Sequence, residues 1–175
     1  MDGLDRAVYG AIASAPTPYL DRAFNNLSDA ANHSGLWFVT AALMAMTGPA
    51  GRRAAADGLV AIAVTSAVAN AVAKPLGGRR RPDRADYQVP LARQVKMPTS
   101  TSFPSGHSAS AFAFASAVSD SWPAGGAPIR ALATLVAYSR VHTGVHYPGD
   151  VIAGSFIGGA VGPGVAKIIR RFRTR

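Results

Sequence analysis

Two histidines, an aspartate and several basic residues recur in three short stretches of this 175-residue chain, and their types suit work on a phosphoryl group. Lys74 precedes Arg81-Pro82, Ser105-Gly106-His107 follows Pro104, and Ser139-Arg140 leads to His146 and then Asp150. A neutral imidazole can attack phosphorus, and a carboxylate one helical turn on can hold its tautomer and stabilise the cationic phosphohistidine. His146 and Asp150 fit that pair of roles. His107 can protonate the leaving oxygen and then activate water. Lys74, Arg81 and Arg140 supply fixed positive charge, and arginine can grip phosphoryl oxygens bidentately. Ser105 and Gly106 stand where a helix is expected to open, so free N–H groups and the helix dipole favour an anion there. Gly106 also permits close backbone approach. Phosphoryl transfer is mainly positioning and charge stabilisation, so this set suffices with no metal and no other cofactor.

Each residue also has an ordinary structural reading. Lys74 could anchor a helix end at a membrane interface. Arg81 lies among Arg79, Arg80 and Arg84, and such a run can be a basic patch facing lipid or water; Arg79 and Arg80 are assigned to that patch. Ser105 could be a helix N-cap, Arg140 a helix-end charge, and Asp150 the opening residue of a last helix. His142 reads as structural or as a support for its neighbours, and Tyr147 has no assigned chemistry. None of these readings explains why all the residues gather at one end of the molecule.

The elements that would gather them are apolar segments. Five are expected, at about 35–46, 58–73, 105–122, 129–140 and 150–169, with breakers such as Gly48-Pro49, Pro75 and Pro123 between them. Lys74 ends the second segment, Ser105 and His107 open the third, Arg140 ends the fourth, and His146 and Asp150 lead into the fifth. Antiparallel packing of successive helices therefore carries all of them to one mouth. Residues 4–32 read as amphipathic with a break at 15–18, and residues 77–103 read as a long polar loop. Loops of that length in a compact domain are often functional. The expected division is 1–33 as an N-terminal amphipathic segment, 34–170 as the helical bundle and 171–175 as a basic tail.

Composition narrows the classes further. There is no cysteine, which removes disulfides and thiolate metal sites. All nine acidic residues are Asp, which removes glutamate-based acid/base pairs and the H-E-x-x-H metalloprotease motif. The formal charge is +9. The basic residues cluster between apolar stretches rather than along a polar face, so a membrane and an anionic lipid phosphate are the expected partners and nucleic acid is not. Mean hydropathy is +0.15, low for a membrane protein. Much of the apolar content is Ala, Val and Gly, small residues that let membrane helices approach closely. No signal peptide is evident at the N-terminus.

Residues 74–82 (KPLGGRRRP), 104–107 (PSGH) and 139–150 (SRVHTGVHYPGD) resemble the three-part signature of the type 2 phosphatidic acid phosphatase (PAP2) superfamily, with matching spacing over roughly residues 58–165. The resemblance implies an all-α membrane bundle of about five transmembrane helices plus an N-terminal amphipathic helix. It also implies His146 as nucleophile, Asp150 as its partner and His107 as acid/base, with Lys74, Arg81, Ser105, Gly106 and Arg140 on the phosphate. The expected activity is a metal-independent lipid phosphatase. The compact size and Ala/Arg-rich composition resemble the small members that act on polyprenyl-linked phosphomonoesters, decaprenylphosphoryl-5-phosphoribose foremost. Undecaprenyl diphosphate and phosphatidic acid or phosphatidylglycerophosphate are the alternatives, and a lipid-phosphate-binding protein without turnover is the alternative of another class. Vanadium haloperoxidases share the signature but are soluble and generally much larger. The expected location is the cell membrane, multi-pass. Basic residues slightly favour a cytoplasmic C-terminus and hence an extracytoplasmic site.

Overall fold

A computed structural model describes residues 2–69, 71 and 78–173. Among them are seven α-helices and no strand: α1 (Asp2–Ser14), α2 (Pro18–Ala30), α3 (Gly35–Met46), α4 (Pro49–Val68), α5 (Gly106–Ser121), α6 (Pro123–His142) and α7 (Pro148–Arg173). The five apolar segments correspond to α3 to α7, but α4 begins at Pro49 rather than near 58 and α6 at Pro123 rather than near 129, because a proline at the first helical position opens each helix. The amphipathic stretch becomes α1 and α2, broken where Pro16 and Pro18 interrupt the first helix. Prolines stand at or next to the first position of α2, α4 and α6, where the missing N–H costs nothing. Lys74 lies outside the described residues.

The centre of the bundle is α5, packed against α4, α6 and α7. Small residues make that density possible. Gly154, Gly158 and Gly162 recur every fourth residue on α7, and a Cβ on any of them would meet the backbone of α5 at Ser105, Ala109 or Ala113. The ascending order of both lists shows that α5 and α7 run parallel, with α6 returning between their ends. Small-xxx-small stripes of this kind let helix backbones touch. On the other flank of α5, Phe114 occupies the space left by Gly58 of α4 and packs on Trp37 at 5.1 Å between ring centroids.

The connection from 78 to 105 has little regular structure beyond a single turn at Leu91–Arg93, yet it is firmly fixed. Arg93 is almost fully buried and ties the loop to the α1–α2 junction. It donates to Asp21 Oδ1 at 2.8 Å, to the carbonyls of Ile12 and Ala13, and to Thr17. His142, near the end of α6, shares the same Asp21 oxygen at 3.1 Å. One α2 carboxylate thus fixes both the loop and the end of α6 that carries Arg140.

The outward faces of α3 and α7 are apolar: Phe38, Leu43, Met46, Ile152 and Phe156 are all exposed. Among the described residues, α7 is long and apolar enough to cross a membrane.

Candidate active site

Among the described residues, the ends that hold Ser105, Arg140, His146 and Asp150 do meet. The backbone N–H of Ser105, at the mouth of α5, donates to the carbonyl of Asp150 in the first turn of α7 at 2.9 Å. The five residues between α6 and α7 form a tight turn, with Gly144 at φ +72°. Both His146 and Val145 send their N–H groups back to the carbonyl of Arg140. That turn is what brings Arg140 and His146 together.

His146 is enclosed and its two ring nitrogens face different partners. Nε2 lies 3.1 Å from Arg81 Nη1. Nδ1 lies 3.5 Å from Asp150 Oδ2 and 3.4 Å from Ser102 Oγ. A guanidinium can only donate, so Nε2 must present a lone pair and the proton of the neutral ring must sit on Nδ1, toward the carboxylate. This is the tautomer a nucleophile needs. Burial is the largest influence on its protonation. The hydrogen bond to Asp150 opposes it and the charges of Arg81 and Arg140 reinforce it, so the pKa falls from 6.5 to about 4. The ring is therefore free base at neutral pH.

Asp150 has no exposure to solvent and is held from four directions. Its Oδ2 accepts from Ser102 Oγ at 2.5 Å and from the Tyr147 N–H at 2.9 Å, besides facing His146. Its Oδ1 accepts from Arg79 Nη1 at 2.9 Å. Arg79 is therefore no part of a general basic patch, as its sequence neighbours suggested. It also pairs with Asp5 at 2.6 Å and lies over the Tyr147 ring at 4.2 Å. The three arginines lie in an irregular segment and differ in burial. Arg79 and Arg81 turn inward and Arg80 is exposed.

Arg81 fills its donors with the carbonyls of Ser100, Thr101 and Val145 and the Ser100 hydroxyl. Burial pushes its guanidinium below its ordinary pKa; Asp150 opposes this and the charge of Arg84 adds to it. Arg140 is almost wholly buried. Its Nη1 donates to Ser28 Oγ at 2.5 Å and to the Ser28 carbonyl at 3.2 Å. Its Nε has no partner among the described residues, and neither do Nε and Nη2 of Arg84. Arg84 lies beside Gly144, where a Cβ would touch its side chain. No ion pair among the described residues involves Arg81, Arg84 or Arg140. Arg84 and Arg140 keep unspent donors, and their charges act on Arg81, which contacts the imidazole; the three guanidiniums form a seat for an anion.

The remaining motif residues stand slightly apart. Ser105 caps α5, accepting from the Ser108 N–H at 3.4 Å and the Ser108 hydroxyl at 3.0 Å. Its own proton has no acceptor among the described residues. Gly106 begins the helix. His107 Nε2 lies 2.9 Å from Asn32 Oδ1, just after α2. Gly106 and His107 line a small cavity of 180 Å³ with His33, Trp37 and Ser66. The structure thus joins Arg81, His146 and Asp150 by side-chain contacts, places Arg140 against His146 and Ser105 against Asp150 through backbone, and holds His107 on Asn32. Asp5, Ser28, Asn32, Arg79, Arg84 and Ser102 joined the site without any sequence signal except the proximity of Arg79 and Arg84 to Arg81. Among the described residues no His/Asp cluster could hold a metal ion.

Comparison with known proteins bears on the same residues. The PAP2 superfamily model matches residues 54–174. A decaprenylphosphoryl-5-phosphoribose phosphatase of Mycobacterium tuberculosis is 36% identical over 162 residues, covering 89% of this chain and 85% of the relative. Two crystal structures share the fold. A transmembrane PAP2-type phosphatidylglycerolphosphate phosphatase from Bacillus subtilis aligns with a TM-score of 0.73 at 22% identity, over 97% of this chain and 86% of its own. LpxE of Aquifex aeolicus aligns with a TM-score of 0.71 at 26% identity, over 94% and 95%.

Proposed function

The chain belongs to the PAP2 superfamily and is a phosphatase, and from that premise we propose that it cleaves the phosphomonoester of a polyprenyl-linked lipid, decaprenylphosphoryl-5-phosphoribose, through a phosphohistidine on His146. The observation that supports this most is the buried imidazole with its lone pair fixed on Nε2, set among arginines with unspent donors. The identity to a phosphatase named for that lipid supports the choice of substrate.

The phosphoryl group enters between Nε2 and Arg81, and its oxygens take the open donors of Arg140 and Arg84, with Lys74, Ser105 and Gly106 completing the shell. Nε2 attacks phosphorus, the P–N bond forms and the P–O bond to the ribose 5-oxygen breaks. The cationic ring keeps its Nδ1 proton against Asp150, whose charge stabilises it. His107 exchanges Asn32 for the leaving oxygen and gives it a proton. It then takes a proton from water, which attacks phosphorus, breaks the P–N bond and releases inorganic phosphate.

Lipid access fits the surface. An apolar groove of 690 Å³ opens between α1, α6 and α7, on the exposed apolar side of α7. The protein is a membrane protein with the tail of its substrate along this groove. We place α3 to α7 across the bilayer and the site on its extracytoplasmic side.

The test is phosphate release from a panel of decaprenylphosphoryl-5-phosphoribose, undecaprenyl diphosphate, phosphatidic acid and phosphatidylglycerophosphate by wild type and His146→Ala. Preferred release from the first, lost in the variant, is expected. Preference for another lipid overturns the substrate, and release by the variant overturns the nucleophile. Binding of these lipids without release identifies a lipid-phosphate-binding protein instead.

A further inference from the structure

The apolar groove does not end at the bilayer face. A second groove of 460 Å³ continues it toward the site and shares Val8, Pro148 and Ile152 with it. Asp5 and Arg79 are the charged residues lining either groove. Together they make a small built structure. The Asp5 carboxylate takes Arg79 Nη1 on Oδ2 at 2.6 Å and the Gly149 N–H, in the first turn of α7, on Oδ1 at 2.7 Å. Position 149 is close to Asp5 because it has no side chain: a Cβ there would lie 2.9 Å from Oδ2. Two donors therefore converge on one two-oxygen anion at the inner end of an apolar channel. Arg79 meanwhile keeps its contact with Asp150 at 2.9 Å.

We propose that this seat holds the second anionic group of the substrate, the phosphodiester that joins the polyprenyl tail to the sugar, and that Asp5 stands in for it in the ligand-free protein. The inference rests on the substrate class proposed above. Such a lipid runs in the order tail, phosphodiester, ribose, phosphomonoester. The protein runs in the order apolar groove, Arg79 and Gly149, Asp150 and His146, then Arg81, Arg84 and Arg140. The two orders match, with the diester at the first cation the tail meets. A diester has two non-bridging oxygens and one negative charge, as a carboxylate has, so it can replace Asp5 without leaving Arg79 or the Gly149 N–H unpaired. Lipids whose monoester is attached directly to an apolar tail lack this group and would leave Asp5 in place. Arg79 is thus a specificity-determining residue for lipids carrying a charge between tail and sugar.

The experiment compares two substrates that differ only in that charge: a polyprenylphosphoryl ribose 5-phosphate and its analogue with a neutral methylphosphonate in place of the diester. Wild type is expected to favour the charged substrate in kcat/KM by roughly tenfold or more, the usual worth of a hydrogen bond to a charged group. Arg79→Gln is expected to bring the ratio close to one. Asp5→Asn, which removes the competing carboxylate, is expected to raise the ratio through a lower KM for the charged substrate. Equal losses on both substrates in Arg79→Gln would show that Arg79 only positions Asp150, and would overturn the proposal, as would an unchanged ratio. A wild type that turns over neither substrate while releasing phosphate from another lipid would overturn the substrate assignment as well.

Discussion

The two ends of the bundle treat arginine in opposite ways. At the end away from His146, Arg173 of α7 pairs with Asp57 of α4 at 2.7 Å, and that carboxylate has no exposure to solvent. Ser121 of α5 donates to the same carboxylate at 2.6 Å. Arg170 pairs beside it with Asp120. Three helices are tied there by charges that satisfy one another. At the His146 end, Arg81, Arg84 and Arg140 are at least partly buried with no carboxylate paired to them among the described residues. Burying a charge without its counterion costs stability. The far end is built for holding the fold, and under the proposed function the near end is completed by a ligand that brings the missing negative charge.

The contrast can be broken by substitution. The largest effect is expected at His146, the proposed nucleophile. His146→Ala should lower kcat by at least about 10³-fold, because removing a covalent catalyst leaves only binding and charge stabilisation. Asp150→Asn should cost about 10²- to 10⁴-fold by releasing the tautomer. Steady-state phosphate release measures both. Next comes Arg140→Met, expected to lower kcat/KM by about 10²- to 10³-fold, as loss of one preorganised donor does elsewhere, with thermal stability unchanged or raised because an unpaired buried charge is gone. Arg173→Met should do the reverse. It strands the Asp57 carboxylate and lowers stability by about 2–3 kcal/mol, while kcat/KM stays within about twofold. Thermal unfolding in detergent, measured beside activity for both variants, tests the pair. If Arg140→Met destabilises as much as Arg173→Met, the near-end arginines are structural and the contrast is false.

Much of this was legible in the sequence. The five apolar segments and the break in the amphipathic stretch gave the number of helices, while α4 and α6 start earlier than expected, at Pro49 and Pro123, because proline fits the first turn of a helix. The placement of Ser105, Arg140, His146 and Asp150 at segment ends gave their convergence, because it follows from alternation of direction alone; Lys74, expected there too, lies outside the described residues. The supports of the site were not legible. Ser28 and Asn32 reach Arg140 and His107 from α2 and the turn after it, and Ser102 reaches Asp150 from the loop. None shares a helix or a periodic pattern with its partner, so no spacing announces the contact. Arg79 was misjudged for a related reason. Three consecutive arginines look alike in sequence, and only the fold separates the half-buried Arg79 and Arg81 from the exposed Arg80.

Smaller effects sharpen the picture of the imidazole. Ser102→Ala removes one of the donors holding Asp150 and should lower kcat by about tenfold with KM unchanged, the scale of one hydrogen bond to a charged group. Since the folded protein holds His146 at about 4 against 6.5, the unfolded chain binds more protons between those values. Stability from this group therefore rises as pH increases from about 4 to 6.5 and is level above. Histidine ring NMR of the ligand-free protein should show His146 uncharged at pH 5.5. A midpoint near 6.5 would mean the ring is open to water and not enclosed as described.

The most direct measurement is covalent. The protein is mixed with a ³²P-labelled lipid phosphomonoester, quenched in alkali within one turnover and digested. A base-stable, acid-labile label on the peptide carrying His146, absent from His146→Ala, is the expected result. Label on the peptide carrying His107, or label that survives in His146→Ala, would contradict the assignment of the nucleophile and with it the purpose given to the unpaired arginines around it.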